Sequence, residues 1–70
     1  MGIEKHTKVT GVSEISWKDA INKTVEEFSQ TTNYLNSLKI LDQRAKITIN
    51  KITQYYVDLE IGYLVEQSNS

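Results

Sequence analysis

The most restrictive feature of this chain is an alternation near its C-terminal end. Tyr55, Val57, Leu59, Ile61, Tyr63 and Val65 interleave with Tyr56, Asp58, Glu60, Gly62 and Leu64. A period of two sends successive side chains to opposite faces of a strand, so the first set predicts a buried face and the second an outer one. β-Branched and aromatic residues fill the first set, as a pleated, half-buried surface favours. Counted from Ile52, the strand runs about 46 Å at ~3.3 Å per residue, longer than most strands in small domains. The rest of the chain has to cover one face of it.

The only helical pattern is too short for that. Trp17, Ala20, Ile21, Val25 and Phe28 recur at three and four residues, with Thr24 and Thr31 on the same stripe. Ser16 is placed to cap this helix, and Asp19 stands where a capping-box partner would, adding negative charge at the positive end of the dipole. Asp19 and Lys23 form an i,i+4 pair. The stretch TTNYLNS ends the helix near Thr32 or Asn33. Sixteen or so helical residues span only about 24 Å. Upstream, Ile3 to Val12 reads as a first strand with Thr7, Val9 and Val12 on it. Leu38 to Ile49 reads as a second strand: Leu38 and Ile40 share one phase, and Leu41, Ala45, Ile47 and Ile49 the other. The change of phase at Leu41 and Asp42 predicts a bulge. A tight connection at Asn50 and Lys51 makes the last two strands a hairpin. The expectation is one α+β domain, residues 1–70, in the order β-α-β-β, with one helix and a three-stranded sheet.

Such a sheet leaves unpaired edges, and small chains that lack a full core rely on disulfides, a metal or self-association. The 70 residues contain no cysteine and one histidine, which excludes a disulfide and a thiolate or multi-histidine metal site. Self-association remains, and a homo-oligomer is expected. Eight Lys and Arg against nine Asp and Glu give no basic excess of the kind a nucleic-acid binder carries. No run approaches the ~20 apolar residues of a membrane span, and MGIEKHTK lacks the apolar stretch of a signal peptide. Gly2 suggests myristoylation, but Thr7 falls one place beyond that pattern. A soluble, cytoplasmic protein is expected. With one histidine and no cysteine, no nucleophile–base set of the Ser-His-Asp or Cys-His type can be assembled, and the three glycines are not clustered into a phosphate loop. The chain is read as a non-enzyme.

Individual residues have bland and sharp readings. Trp17, the single tryptophan, sits on the apolar stripe and reads as packing. His6 has no partner acid positioned by the sequence and reads as a solvated or interfacial side chain. Asp58 and Glu60 share the outer phase with Tyr56; they read as a solvated face, or as oxygen ligands for a cation if symmetry repeats them. Asn22-Lys-Thr24 matches a glycosylation pattern but lies inside the predicted helix.

Read together, GVSEISWKDAI, TTNYLNSLKILDQRAKI and QYYVDLEIGYLVE resemble the dodecins, small flavin-binding proteins, over roughly residues 5–66. The resemblance rests on a turn at Gly11, Val12 and Ser13, then Ser16, Trp17 and Ala20, then Thr31, then Asp42, Gln43 and Arg44, and finally Ile61, Gly62 and Tyr63. It implies a three-stranded antiparallel sheet wrapped around one helix, and a hollow shell of twelve such chains that stores or scavenges FMN, FAD or riboflavin, held in pairs at two-fold contacts; some members bind metal ions instead. In flavin-binding members a Trp at the start of the second strand stacks on the ring, and that place falls at Ser37. A Gln that bonds the ring edge falls at Tyr56, with Gln54 two positions away on the same face. Arg44 matches a basic position that meets the flavin phosphate in some relatives. The resemblance therefore implies a ligand site at Ser37, Arg44 and Tyr56, with Tyr34 and Tyr56 as further flat rings. A flavin-free structural or ion-binding assembly, with Asp58 and Glu60 as ligands, is the alternative.

Overall fold

The alternating strand is the middle of the sheet. The computed structural model describes residues 2–32 and 34–66, ordered β1 (Gly2–Ser13), α1 (Trp17–Thr31), β2 (Leu35–Thr48) and β3 (Lys51–Glu66). β1 and β2 pair antiparallel with β3 from either side, which is the β-α-β-β arrangement expected. Val57, Leu59 and Ile61 are at most 1% exposed. Val57 and Leu59 form the core with Ala20, against which Val9, Trp17 and Ile21 pack. The opposite phase, Tyr56, Asp58, Glu60 and Gly62, makes the outer face.

The way into the helix differs from the sequence reading. The strand continues through Ser13, and the bend falls at Glu14 and Ile15 instead of Gly11, Val12 and Ser13. Gly11 is needed for closeness, not for a turn: a β-carbon there would strike the Thr24 side chain and lie 3.0 Å from the Ala20 carbonyl oxygen. Ser16 caps α1 as expected, its Oγ accepting from the Asp19 N–H at 3.0 Å. The Asp19 carboxylate, one methylene shorter than Glu, does not close a capping box on Ser16. It accepts from Ser13 Oγ at 2.6 Å, and that oxygen accepts from the amides of Ile15 (2.9 Å) and Ser16 (3.4 Å). Ser13 is buried, and its bonds hold the β1–α1 corner. Lys23 reaches Asp19 at 3.7 Å. Thr32 caps the far end, its N–H bonded to the Phe28 carbonyl; Asn33, the other expected terminus, lies outside the described residues.

Two aromatic contacts fix how much of β3 the helix covers. Trp17 meets Tyr55 edge-on at 4.8 Å, and Phe28 meets Tyr63 at 5.5 Å. From Tyr55 to Tyr63 is about 26 Å of strand, and α1 reaches about 22 Å. Lys51 to Gln54 therefore extend beyond the helix, and β1 ends with them uncovered, since its last partner is Tyr55. α1 packs on β1 and β3, so β2 is exposed along its whole length after Leu35. Its only described side-chain tie to the helix is Trp17 Nε1, which donates to the Arg44 carbonyl at 2.9 Å. The radius of gyration is 14.8 Å, against about 11 Å for a compact chain of this length. Leu38, Ile40, Leu41 and Ile47, all on β2, are 38–66% exposed.

β2 begins at Leu35, three residues before the expected start. The predicted bulge is present as a register shift between Ile40 and Asp42. The hairpin turn is Ile49–Asn50, not Asn50–Lys51: both residues have positive φ, 51° and 62°, as a two-residue type I′ loop requires. Lys51 instead pairs with Thr48. A β-branched residue in the left-handed region is strained by about 1–3 kcal/mol, and Ile49 is 88% exposed, so nothing among the described residues offsets it. Ile49→Asn is expected to stabilise the fold by about 1 kcal/mol, read as a raised denaturant midpoint at fixed chain concentration. An unchanged or lower midpoint would show that the isoleucine is held by a contact made outside the single chain.

Candidate functional site

The outer face is a ladder of cross-strand rows, each centred on β3. His6, Gly62 and Ser37 form one row; Lys8, Glu60 and Lys39 the next; then Thr10, Asp58 and Asp42; then Val12, Tyr56 and Arg44. Strand alternation puts all of them on the face away from α1, and the bulge at Leu41 keeps Arg44 in phase with Tyr56.

Arg44 and Tyr56 come together directly. The guanidinium carbon lies 5.4 Å from the centre of the Tyr56 ring, in cation–π range. The Tyr56 hydroxyl donates to Gln54 Oε1 at 2.6 Å, so the ring is tethered at its far end. Arg44 also donates to Asp58 Oδ1 at 3.1 Å and lies 3.9 Å from Asp42. Thr10 donates to the same Asp58 oxygen at 2.8 Å. Asp42 and Asp58 stand directly opposite each other, a repulsive arrangement that Arg44 relieves. Ser37, in contrast, lies six residues of β3 away from the Tyr56 row, about 20 Å. Asp58 and Glu60 occupy the rows between. Among the described residues no group of three or more metal-ligating side chains is gathered.

The sequence reading does not single out Thr10; it names Gln54 and Asp42 without these contacts, and His6 without partners. In the fold His6 Nε2 lies 3.5 Å from Glu4 and Nδ1 lies 3.6 Å from Glu60. The signal for Thr10 and His6 was the polar phase of β1, which interleaves with Thr7 and Val9; placing it needed the register with β3. Trp17 packs as expected, and its bond to the Arg44 carbonyl ties the helix start to the strand that carries the arginine.

The pKa of Asp58 is lowered. The Thr10 hydroxyl first, and then the Arg44 guanidinium, hold its carboxyl below the usual carboxylate value. A depressed folded-state pKa means the stabilising bonds are complete above the unfolded value of about 3.9 and are lost as pH falls through the folded value. Asp58→Asn is therefore expected to flatten the acid limb of a melting-temperature-against-pH curve below about pH 4. Identical limbs in both proteins would refute the coupling.

The Dodecin family model matches residues 3–66. The chain belongs to the dodecin family. Among solved structures, a dodecin from Streptomyces coelicolor superposes with a TM-score of 0.89 at 25% identity, covering 96% of each chain. An arginine-to-alanine variant of the Thermus thermophilus dodecin gives 0.90 at 24% identity, over 97% of this chain and 100% of that one. The calcium dodecin of Mycobacterium tuberculosis, described as having a novel calcium-binding site, gives 0.80 at 20% identity over 97% of each. No curated protein matches the sequence significantly. The dodecin fold thus extends over nearly the whole chain, and no described helix is long and apolar enough to cross a membrane. Ser37 brings a hydroxyl and no ring to the start of β2, and Tyr56 brings a ring to the middle strand of the outer face.

Proposed function

We propose that the protein is a non-enzymatic, homo-oligomeric dodecin shell of about twelve copies that binds and sequesters a flavin at contacts between copies. Membership in a family of small-ligand-binding proteins supports the ligand class. The observation that carries the reading is the separation of the site within one chain: Ser37 and the Arg44–Tyr56 pair are six β3 positions apart, about 20 Å. A three-ring heterocycle cannot touch both, so a second copy has to complete the site. The uncovered β2 supports the same conclusion, with an apolar groove of ≈ 250 Å³ beside Ser37, lined by Val25, Leu35, Leu38 and Ile61. Sequestration would rest on the Arg44–Tyr56 surface, with the guanidinium available for a charge-assisted contact.

Two measurements test this. Light scattering should return the mass of a closed oligomer, and riboflavin or FMN fluorescence should be quenched on titration with it. A single-chain mass, or a full-sized shell that leaves both flavins unquenched, would overturn the proposal. The second reading, an ion-binding shell, is favoured by the calcium dodecin neighbour and by Asp58 and Glu60 repeating about a symmetry axis. It expects a calorimetric signal with Ca²⁺ that Asp58→Asn and Glu60→Gln reduce, and no flavin quenching.

A further inference from the structure

The row at the start of β2 contains a flat ring, contributed by β1. Ser37 and His6 both pair with Gly62, from opposite sides. Gly62 has no side chain and is buried, because its neighbours lean over it. A β-carbon at Gly62 would meet Ser37 Oγ, and it would lie 3.1 Å from His6 Cε1 and 3.2 Å from Asn36 Oδ1. The imidazole is flanked at both nitrogens, by Glu4 at 3.5 Å and Glu60 at 3.6 Å, and the side chain is 49% exposed. Carboxylates at both edges orient the ring in its plane and leave a face open to solvent. Histidine faces stack on heterocyclic bases as other aromatic side chains do.

Resting on the flavin reading above, we infer that His6 is the ring-stacking residue of this protein, taking the place that Ser37 leaves without a ring. The ligand it fits is a planar heteroaromatic system lying on the exposed face of that imidazole. Ser37 and Asn36 stand beside it over Gly62, and between them they offer a hydroxyl and an amide, donors and acceptors suited to the polar edge of such a ring.

Riboflavin titrations of the intact oligomer, followed by fluorescence quenching, test the assignment. His6→Ala is expected to weaken binding at least about fivefold, the lower end of what one stacked ring contributes. His6→Phe, which keeps a flat face and loses both nitrogens, is expected to bind within about twofold of the parent. Equal affinity of the parent and His6→Ala would overturn the inference while leaving the flavin reading intact. A His6→Phe affinity as low as that of His6→Ala would also overturn it, because the contact would then be polar. If the parent itself binds no riboflavin, the flavin reading falls and this inference with it. Light scattering on each variant shows that the shell has survived the substitution.

Discussion

Gly11→Ala is expected to destabilise the fold by about 1–3 kcal/mol, the usual cost of forcing added volume into a packed contact. The new methyl would meet the Thr24 side chain, lie 3.3 Å from Thr24 Cβ and sit 3.0 Å from the Ala20 carbonyl oxygen. Thr24 has little freedom to withdraw, since its hydroxyl donates to that same carbonyl at 2.7 Å and a β-branched side chain in a helix has few rotamers. Relief has to come from lifting α1 off β1. That separates Ala20 from Val57 and Leu59, the whole of the buried cluster, and draws Trp17 away from the Arg44 carbonyl. Denaturant midpoints at equal chain concentration measure the effect, because assembly makes apparent stability concentration-dependent. Thr24→Ala added to Gly11→Ala is expected to recover part of the loss, as a favourable coupling in a double-mutant cycle. A Gly11→Ala protein as stable as the parent would mean that the helix does not sit this close to β1.

The same glycine shows what could be read without coordinates. The alternation of β3 was legible because a strand with one buried face writes a period of two, and the structure returns Val57, Leu59 and Ile61 as its buried phase. The helix and its Ser16 cap were legible for the same local reason. Even the bulge at Leu41 announced itself as a break in phase. What escaped was whatever depends on two segments meeting. Gly11 looked like turn chemistry, and only the approach of α1 reveals why a side chain is excluded. Asp19 matched a capping-box position, but the partner it found, Ser13, precedes the helix. The hairpin turn slipped by one residue because an isoleucine at positive φ contradicts local preference. For the site, the phase of Tyr56, Asp58 and Glu60 was correct, whereas the pairing of Arg44 with Tyr56 needed the register of β2 against β3. The 20 Å between Ser37 and Arg44 needed the pairing of β2 with β3, and the partners of His6 needed β1 against β3. Uncovered strands, in turn, were foreseen from length alone: a helix reaching about 22 Å cannot shelter sixteen residues of β3 and both neighbours.

Ser37→Trp is expected to raise riboflavin affinity by about 5- to 150-fold, the range that one additional stacked ring spans. Ser37 is exposed on β2 and pairs with Gly62, so an indole there starts from the outer surface of the row. Its opposite neighbour in the row is the His6 imidazole, and two flat side chains flanking Gly62 would present a broader surface to a three-ring ligand than either alone. The gain is expected to persist, though from a lower starting affinity, when His6 is replaced by alanine, because the indole and the imidazole reach the ligand from different strands. Melting temperature and oligomer mass should stay unchanged, since Ser37 is exposed and makes no described hydrogen bond that the substitution would break. An intact Ser37→Trp shell with the parent's riboflavin affinity would show that the ligand does not lie over this row, and would move any flavin site to the Arg44–Tyr56 end of the outer face.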